Sequence, residues 1–402
     1  MSPMRPSLSL CALSISLTLV CGALVRDASA DEVRTGDSRL IRLDDNPSGG
    51  VVYRGDRGRT NHVAKLPSAL TQLWRAKVRG GVDMTHVVSR DGDIIAISGS
   101  EMLELDREGK EKRKTRISDP PSQPPVITTN DDRILVTSKG DCYAFTAQGT
   151  QRYHVNLPQG LSPSSLLPST SGGVVIQSGT TLVELDTDGQ IIAQAKLPET
   201  PSTDLMARGD TYYMLGDKGG VISWKRPDAP KIIGSLPSPS VGSGVPTGGV
   251  LLDQRTLLAV LGSQDTVFFD LGTGSYKAGP SSVLIALDGT PALGTNGSFW
   301  ITNTSGALLE IGADGKEKSR AILEPPAAPS SDYTSGGPPV IAADDGTVLF
   351  ARDRAGVGLA RAGAVVASTD KSPCADPLGL TADATRVVLS CRDGAIVALG
   401  DK

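Results

Sequence analysis

The sequence predicts an all-β protein, an eight-bladed β-propeller of four-stranded antiparallel blades closed by an N-terminal strand. Three observations lead to this prediction. A short motif recurs along the chain at a regular spacing, the residues between its copies divide into four strand segments, and the last copy lacks a fourth strand. Gly (46) and Pro (27) are frequent among the 402 residues and aromatic residues make up 4%, which is the composition of a turn-rich chain.

The recurring motif is an alternating apolar run followed by a polar turn that ends in glycine. It is clearest at 102–109, 182–189 and 308–315, and looser at 142–149. This pattern is typical of a strand that enters a tight turn. Aligned at the residue after the last apolar position, eight copies lie 39 to 49 residues apart, at Asp106, Thr146, Asp186, Lys225, Asp270, Gly312, Arg361 and Gly400. Because that position accepts such different residues, we interpret it as a turn entry rather than a site.

The second repeat shows the four strands of one blade. Residues 125–129, 133–138, 141–145 and 150–157 are strand segments of a few residues each, separated by Asn, Asp and Gly turns. Short strands and tight turns are what a strongly twisted four-stranded sheet requires. The third repeat follows the same scheme.

The end of the chain decides how the ring closes. Only three residues follow Leu399, so the eighth blade has no fourth strand of its own. Residues 71–78 form a strand segment that precedes the first blade and belongs to none, and we expect it to complete blade eight. Such closure removes two exposed strand edges. The alternative is a seven-bladed ring in which two units merge around 272–291.

The first 30 residues read as an export signal, with Arg5, an apolar run over 8–24 and a small-residue cleavage pattern ending at Ala30. A lipoprotein signal with lipidation at Cys21 is the alternative. The predicted domains are a signal peptide (1–30), an extended N-terminal segment (31–70) and a propeller (71–402). We expect the mature chain to be periplasmic or secreted and monomeric, with no transmembrane segment. Its net charge is −4 before cleavage, which predicts no nucleic-acid surface.

Three cysteines remain after signal cleavage. In the hairpin predicted over 378–391, Cys391 lies across from about residue 376, which is within two positions of Cys374. Side chains at neighbouring or diagonal cross-strand positions can come close enough to form a disulfide. An exported compartment permits such a bond. Cys142 lies in a third strand, where we expect a buried free thiol.

Two segments resemble a known family. Residues 53–60 and 73–78, together with the pattern at 140–145, are similar to the quinoprotein-like (PQQ-like repeat) β-propeller proteins. The resemblance implies a propeller fold over 51–402. For some members it also implies a bound quinone (PQQ) and a calcium ion, but no residues here match their ligands. The family's docking Trp, four residues after the turn Gly, is replaced by Arg113, Tyr153 and Ala193.

Motifs of catalysis or metal binding are absent from the sequence. There is no nucleophile elbow and no phosphate loop, and His62, His86 and His154 are too far apart for a local metal motif. His86, beside the first inner strand, is more consistent with a hydrogen-bonded residue than with a ligand. We therefore assign no catalytic residue, no metal and no cofactor, and the sequence does not decide whether the protein is an enzyme.

The loops from each fourth strand to the next first strand are rich in Pro and Ser, and they share one face with the loops between second and third strands. Proline lowers the entropy that a loop loses on binding. We expect this face to bind a protein, peptide or glycan of the envelope or exterior, as a non-catalytic scaffold. Alternatives are a quinone-dependent dehydrogenase and an outer-membrane protein assembly scaffold, since the layout is similar to propellers of that machinery. The candidate contact residues are Asp332, Tyr333, Arg354 and Arg392.

Overall fold

The computed structural model describes residues 56–57, 59–237, 245–262, 265–279, 291–302, 307–322, 340–352, 356–369, 373 and 377–402. Over these residues the chain forms eight antiparallel four-stranded blades arranged in a ring, an eight-bladed β-propeller, and one short N-terminal strand adds in parallel to the seventh blade. The prediction of eight blades is therefore confirmed. The seven-bladed alternative is wrong, because the strands on either side of 280–290 belong to two separate sheets.

Each blade contributes four consecutive strands, except that blade eight takes its fourth from the N-terminal part of the chain. Two strands precede the first blade: β1 (His62–Val63) and β2 (Thr71–Lys77). Blades one to four are β3 (Val87–Val88), β4 (Ile94–Ser98), β5 (Glu101–Leu105) and β6 (Glu111–Arg116); β7 (Val126–Ile127), β8 (Arg133–Val136), β9 (Asp141–Phe145) and β10 (Gln151–Asn156); β11 (Ser165–Pro168), β12 (Val174–Ser178), β13 (Thr181–Leu185) and β14 (Ile191–Lys196); β15 (Met206–Arg208), β16 (Thr211–Leu215), β17 (Gly220–Lys225) and β18 (Lys231–Ser235).

The remaining blades follow the same order, with one 3-10 turn, Thr295–Gly297, between the first two strands of blade six. Blades five to eight are β19 (Pro246–Leu251), β20 (Thr256–Leu261), β21 (Asp265–Asp270) and β22 (Tyr276–Ala278); β23 (Ala292–Leu293), β24 (Phe299–Thr302), β25 (Ala307–Ile311) and β26 (Glu317–Ile322); β27 (Ile341–Ala343), β28 (Val348–Arg352), β29 (Gly356–Arg361) and β30 (Ala364–Ser368); β31 (Pro377–Ala382), β32 (Arg386–Cys391) and β33 (Ala395–Gly400).

The core lies between neighbouring blades. Both faces of a blade are covered by its neighbours, so middle strands such as β4 and β12 are buried at every position. Outer strands such as β14 instead alternate between exposed and half-buried residues, because one of their faces meets solvent. This difference explains why the second and third strands read as nearly continuous apolar runs and the fourth strands do not.

The ring closes as the sequence predicted. Strand β2 pairs antiparallel with β33, from Thr71 opposite Gly400 to Lys77 opposite Ala395. Just before β2, the backbone N–H and hydroxyl of Ser68 donate to the carboxylate of Asp401, with the hydroxyl 2.8 Å from Oδ1. The two ends of the described propeller are therefore held together by a strand pair and by a side-chain contact.

Neighbouring blades are docked through the glycine of the turn between third and fourth strands. Gly109 has φ +81°, and a side chain at this position would meet the ring of Trp74 from blade eight. Trp74 also donates from its indole Nε1 to the carbonyl of Arg107, at 2.9 Å. Arg113 and Tyr153 take the place of Trp74 in the next two blades, against the equivalent glycines. The substitutions seen in the sequence therefore keep the docking position and change the side chain that fills it.

The turn-entry interpretation of the repeat is also supported. Asp106 Oδ1 accepts the backbone N–H groups of Glu108 and Lys110, at 3.0 and 2.8 Å. Asp186 makes the same two contacts in blade three. A side chain that accepts hydrogen bonds from its own turn stabilises the turn locally, which is an architectural role.

Candidate functional site

The Pro-rich loops that lead from one blade into the next are held by the same hydrogen bonds in three successive cases, at 118–124, 158–164 and 198–203. In each loop one serine donates from its backbone N–H (2.8 to 2.9 Å) and from its hydroxyl (3.2 to 3.3 Å) to a single carbonyl of the following blade's second strand. The serine and carbonyl residues are Ser122 with Val136, Ser164 with Gln177, and Ser202 with Leu215. These loops are therefore fixed in place before any partner binds.

Charged side chains further order this face between blades one and two. Lys139 forms an ion pair of 2.7 Å with Asp119, and this contact raises the pKa of Lys139. Asp141 lies 3.0 Å from His154 Nε2 and accepts a hydrogen bond from Ser118. The hydrogen bond from His154 lowers the pKa of Asp141, with smaller contributions from Ser118 and Lys139. The face presents fixed charges of both signs, which suits recognition of a polar partner.

Of the four candidate contact residues, only Arg392 falls within the described residues. It is exposed in the turn between β32 and β33, a connection from a second to a third strand. This places Arg392 on the face that carries the Pro-rich loops. Asp332, Tyr333 and Arg354 lie outside the described residues, so their assignment stays a prediction.

Cys391 ends strand β32, opposite Pro377 of β31, and is disulfide-bonded. Its predicted partner, Cys374, lies outside the described residues, so the Cys374–Cys391 pair stays a prediction. Cys142 is a buried free thiol, as expected from its place in a third strand. Burial raises the pKa of Cys142 to about 12.

The segment before β1 crosses the inner strands of the ring, which the sequence did not predict. The carbonyl of Arg57 accepts the backbone N–H of Ala207 in blade four, and its guanidinium donates to Gly209 at 2.9 Å. The guanidinium of Arg59 donates to Leu205 in blade four and Leu166 in blade three, at 3.0 and 3.2 Å. Both arginines are nearly fully buried. We call residues 56, 57 and 59–63 the channel segment.

The channel segment continues to the opposite side of the ring. The carbonyl of Thr60 accepts the N–H of Leu293 in blade six, and β1 pairs in parallel with β27 of blade seven, His62 opposite Ala342. His62 Nδ1 lies 2.7 Å from the Leu293 carbonyl, and Nε2 lies 2.6 Å from Asp344. The channel segment therefore contacts blades three, four, six and seven.

The family resemblance implies a bound quinone and a calcium ion for some members. Among the described residues, no three His, Cys, Asp or Glu side chains lie close enough together to hold a metal ion. His86 is fully buried between Ser390 and Thr381, with ring nitrogens 3.0 and 2.8 Å from their hydroxyls. Burial, with a smaller contribution from Arg386, lowers its pKa to about 3. The interpretation of His86 as a hydrogen-bonded residue is thus supported.

Buried glutamates in the third strands are the feature that sequence analysis missed. Glu104 of blade one is fully buried, with Oε2 2.7 Å from Arg113 Nε of its own blade and Oε1 3.0 Å from Arg133 Nη2 of blade two. Glu184 of blade three forms the same kind of link to Arg226 after β17 of blade four, at 2.8 Å. The sequence does contain a signal for this feature, a Glu at an inward-facing position of the repeated motif. The two carboxylates are buried, and the ion pairs with Arg133 and Arg226 link neighbouring blades.

No family model matches the chain, and no curated protein matches its sequence. Solved structures do match in fold. BamB from Moraxella catarrhalis is 16% identical with a TM-score of 0.62, over 83% of this chain and 100% of that one. Virginiamycin B lyase from Staphylococcus aureus is 11% identical with a TM-score of 0.55, over 82% and 99%. The computationally designed Ika8 protein is 13% identical with a TM-score of 0.66, over 82% and 100%.

These similarities show the fold alone. One of the matched proteins is named as a lyase and another is a design, so the shared propeller does not carry a function from any of them to this chain. In the part of the chain that the structure describes, no helix is long and apolar enough to cross a membrane. The comparisons identify the chain as a β-propeller protein.

Proposed function

We propose that the protein is a non-catalytic binding scaffold that recognises a protein or peptide through its Pro-rich loop face. The observation that carries this proposal is the repeated serine hydrogen bonding of three successive loops, which fixes a surface that spans several blades. A surface ordered in advance loses little conformational entropy on binding. The two charges of the ion pair between Asp119 and Lys139 would orient the partner on this face.

We also propose that the chain is exported and that it belongs to the quinoprotein-like repeat proteins. The N-terminal pattern at 1–30 supports export, and docking of Trp74 on the turn glycine of the next blade supports the family. The fold shared with BamB agrees with both proposals. A role in outer-membrane protein assembly is one form that such a scaffold could take.

Site-specific crosslinking tests which face binds. A photo-reactive benzoylphenylalanine is placed at Lys139 on the loop face and, as the matched control, at Lys316 in a turn of the opposite face, in cells that normally make the protein. We expect a discrete adduct from position 139 and none from position 316. Adducts from position 316 alone, or equal adducts from both, contradict the proposal. Loss of the adduct in Arg392→Glu, or in Tyr333→Ala with Arg354→Ala, would place those residues at the contact.

Addition of PQQ and calcium separates the scaffold from the dehydrogenase. For a scaffold we expect no shift in quinone absorbance and no change in the midpoint of thermal unfolding at saturating cofactor. A calcium-dependent rise in that midpoint together with an absorbance shift would replace the scaffold proposal with the enzyme.

A further inference from the structure

A groove of about 340 Å³ lies between blade eight and blade one. One wall is formed by β2 and the residues that follow it, and the other by β5 and β6. Its floor is apolar and includes Ala76, Val78, Leu103 and Leu105. None of the residues that line the groove belongs to the channel segment or to the three Pro-rich loops described above.

A small side chain lies in the floor of this groove. Ala76 pairs with Ile396 in the outer strand of blade eight, and the equivalent positions of the next three outer strands hold Thr115, Val155 and Ala195, as the pairing registers show. A larger side chain at position 76 would fill part of the groove. A pocket of this size with an apolar floor is typical of a binding site.

The two ends of the groove carry opposite charges. Arg79 lies at the end formed by Ser98 and Glu101, because the hydroxyl of Ser98 donates a hydrogen bond to the backbone carbonyl of Arg79. Glu111 lies at the other end, opposite Leu105. Both side chains are exposed, and neither forms an ion pair with any residue in the described ranges. The other charged residues of the groove are paired: Lys114 with Glu101 at 2.6 Å, and Lys77 with Asp393 at 3.7 Å.

The length of the groove matches an extended chain. The wall formed by β5 runs from Glu101 to Leu105, four residue steps, and a strand rises about 3.3 Å per residue, so the two ends lie about 13 Å apart. A peptide in extended conformation places side chains two residues apart on the same face. An acidic and a basic residue four positions apart would therefore reach the two ends, with the residue midway between them over the floor.

We propose that this groove binds an extended peptide segment of a partner protein, with an acidic side chain at Arg79, an apolar side chain over Leu103 and Leu105, and a basic side chain at Glu111. Charge complementarity selects this occupant: the unpaired charges have opposite signs, so a segment with both charges matches both ends. The Arg79 end of the groove reaches the face of the Pro-rich loops, because Arg79 follows a fourth strand and Ser98 and Glu101 flank a turn between second and third strands. The groove itself lies between two blades and includes none of the three loops described above, so this site goes beyond the proposed function.

The test uses blocked, fluorescently labelled heptapeptides and fluorescence anisotropy with the full-length mature protein. The probe has the sequence Gly-Asp-Ser-Leu-Ser-Lys-Gly. Control peptides replace Leu with Ser, or replace Asp with Lys. We expect saturable binding of the probe, with at least tenfold weaker binding of both control peptides. Equal binding of all three peptides, or no saturable binding of the probe at millimolar concentration, overturns the proposal.

Two variants locate the bound peptide. Ala76→Ile fills the floor and should weaken probe binding at least tenfold. Arg79→Glu should reverse the preference of the protein between the two peptides, so that the control peptide with two Lys binds more tightly than the probe. Arg90→Glu makes the same charge change in an exposed turn of blade one and should leave both affinities unchanged. If Arg79→Glu does not exchange the preference while the fold is intact by circular dichroism, the assignment is wrong.

Discussion

The buried ion pairs between blades make a quantitative prediction for Glu104→Gln. The Arg133 side chain is 2% exposed and that of Glu104 is 1% exposed. Removal of one partner of a buried pair costs about 3 to 5 kcal/mol, because the other charge stays buried without compensation. Asp131 remains 3.2 Å from Arg133 Nη1, so we expect the lower limit, about 3 kcal/mol, as the loss in free energy of unfolding.

Glu310 supplies the matched control. It takes the same place in the repeat of blade six, but its oxygens accept hydrogen bonds from two neutral hydroxyls, those of Ser298 and Ser319, each at 2.9 Å. An amide can form both contacts, so Glu310→Gln should cost at most about 1 kcal/mol. Urea unfolding followed by tryptophan fluorescence measures both variants. If the two substitutions destabilise the protein equally, the buried charges do not hold the blades together and the reasoning is wrong.

Three further outcomes follow from single contacts. Gly109→Ala should lower the free energy of unfolding by about 2 kcal/mol, because alanine disfavours positive φ and its methyl group would meet Trp74; urea denaturation measures this. Asp401→Asn should cost about 0.5 kcal/mol at neutral pH, since the carboxylate is exposed. The hydrogen bonds from Ser68 lower the pKa of Asp401, so its contribution is complete above the unfolded value, about 3.9, and disappears as pH falls through the lower folded value. Iodoacetamide should not label Cys142 at pH 8 in the native protein but should label it after unfolding, as mass spectrometry will show.

The repeat and its consequences could be predicted from sequence because they depend on local patterns. Alternating apolar residues and turn glycines located the strands, and the missing fourth strand of blade eight identified β2 as its partner. The place of Cys142 within a third strand was enough to predict its burial. Each of these conclusions uses the periodicity of side chains along a strand, which is set by the backbone.

The contacts of the channel segment could not be predicted because they are short and distant in sequence. Strand β1 has two residues, too few for any periodic pattern, and its partner β27 begins at Ile341. The link between Glu104 and Arg133 was missed for a related reason. A glutamate within an apolar run indicates a buried charge only if its partner is known, and that partner stands in another blade.

One short stretch of chain connects the channel segment, the closure of the ring and the groove. Strand β2 closes the ring and forms one wall of the groove, and only residues 64–70 separate it from β1 in the channel segment. A substitution in the channel segment can therefore displace β2 and alter the groove without touching it. Substitutions at Ala76 and Arg79 avoid this coupling, since neither residue contributes to β1. Retained pairing of β2 with β33, measured by hydrogen exchange, would distinguish a change in the groove from an opening of the ring.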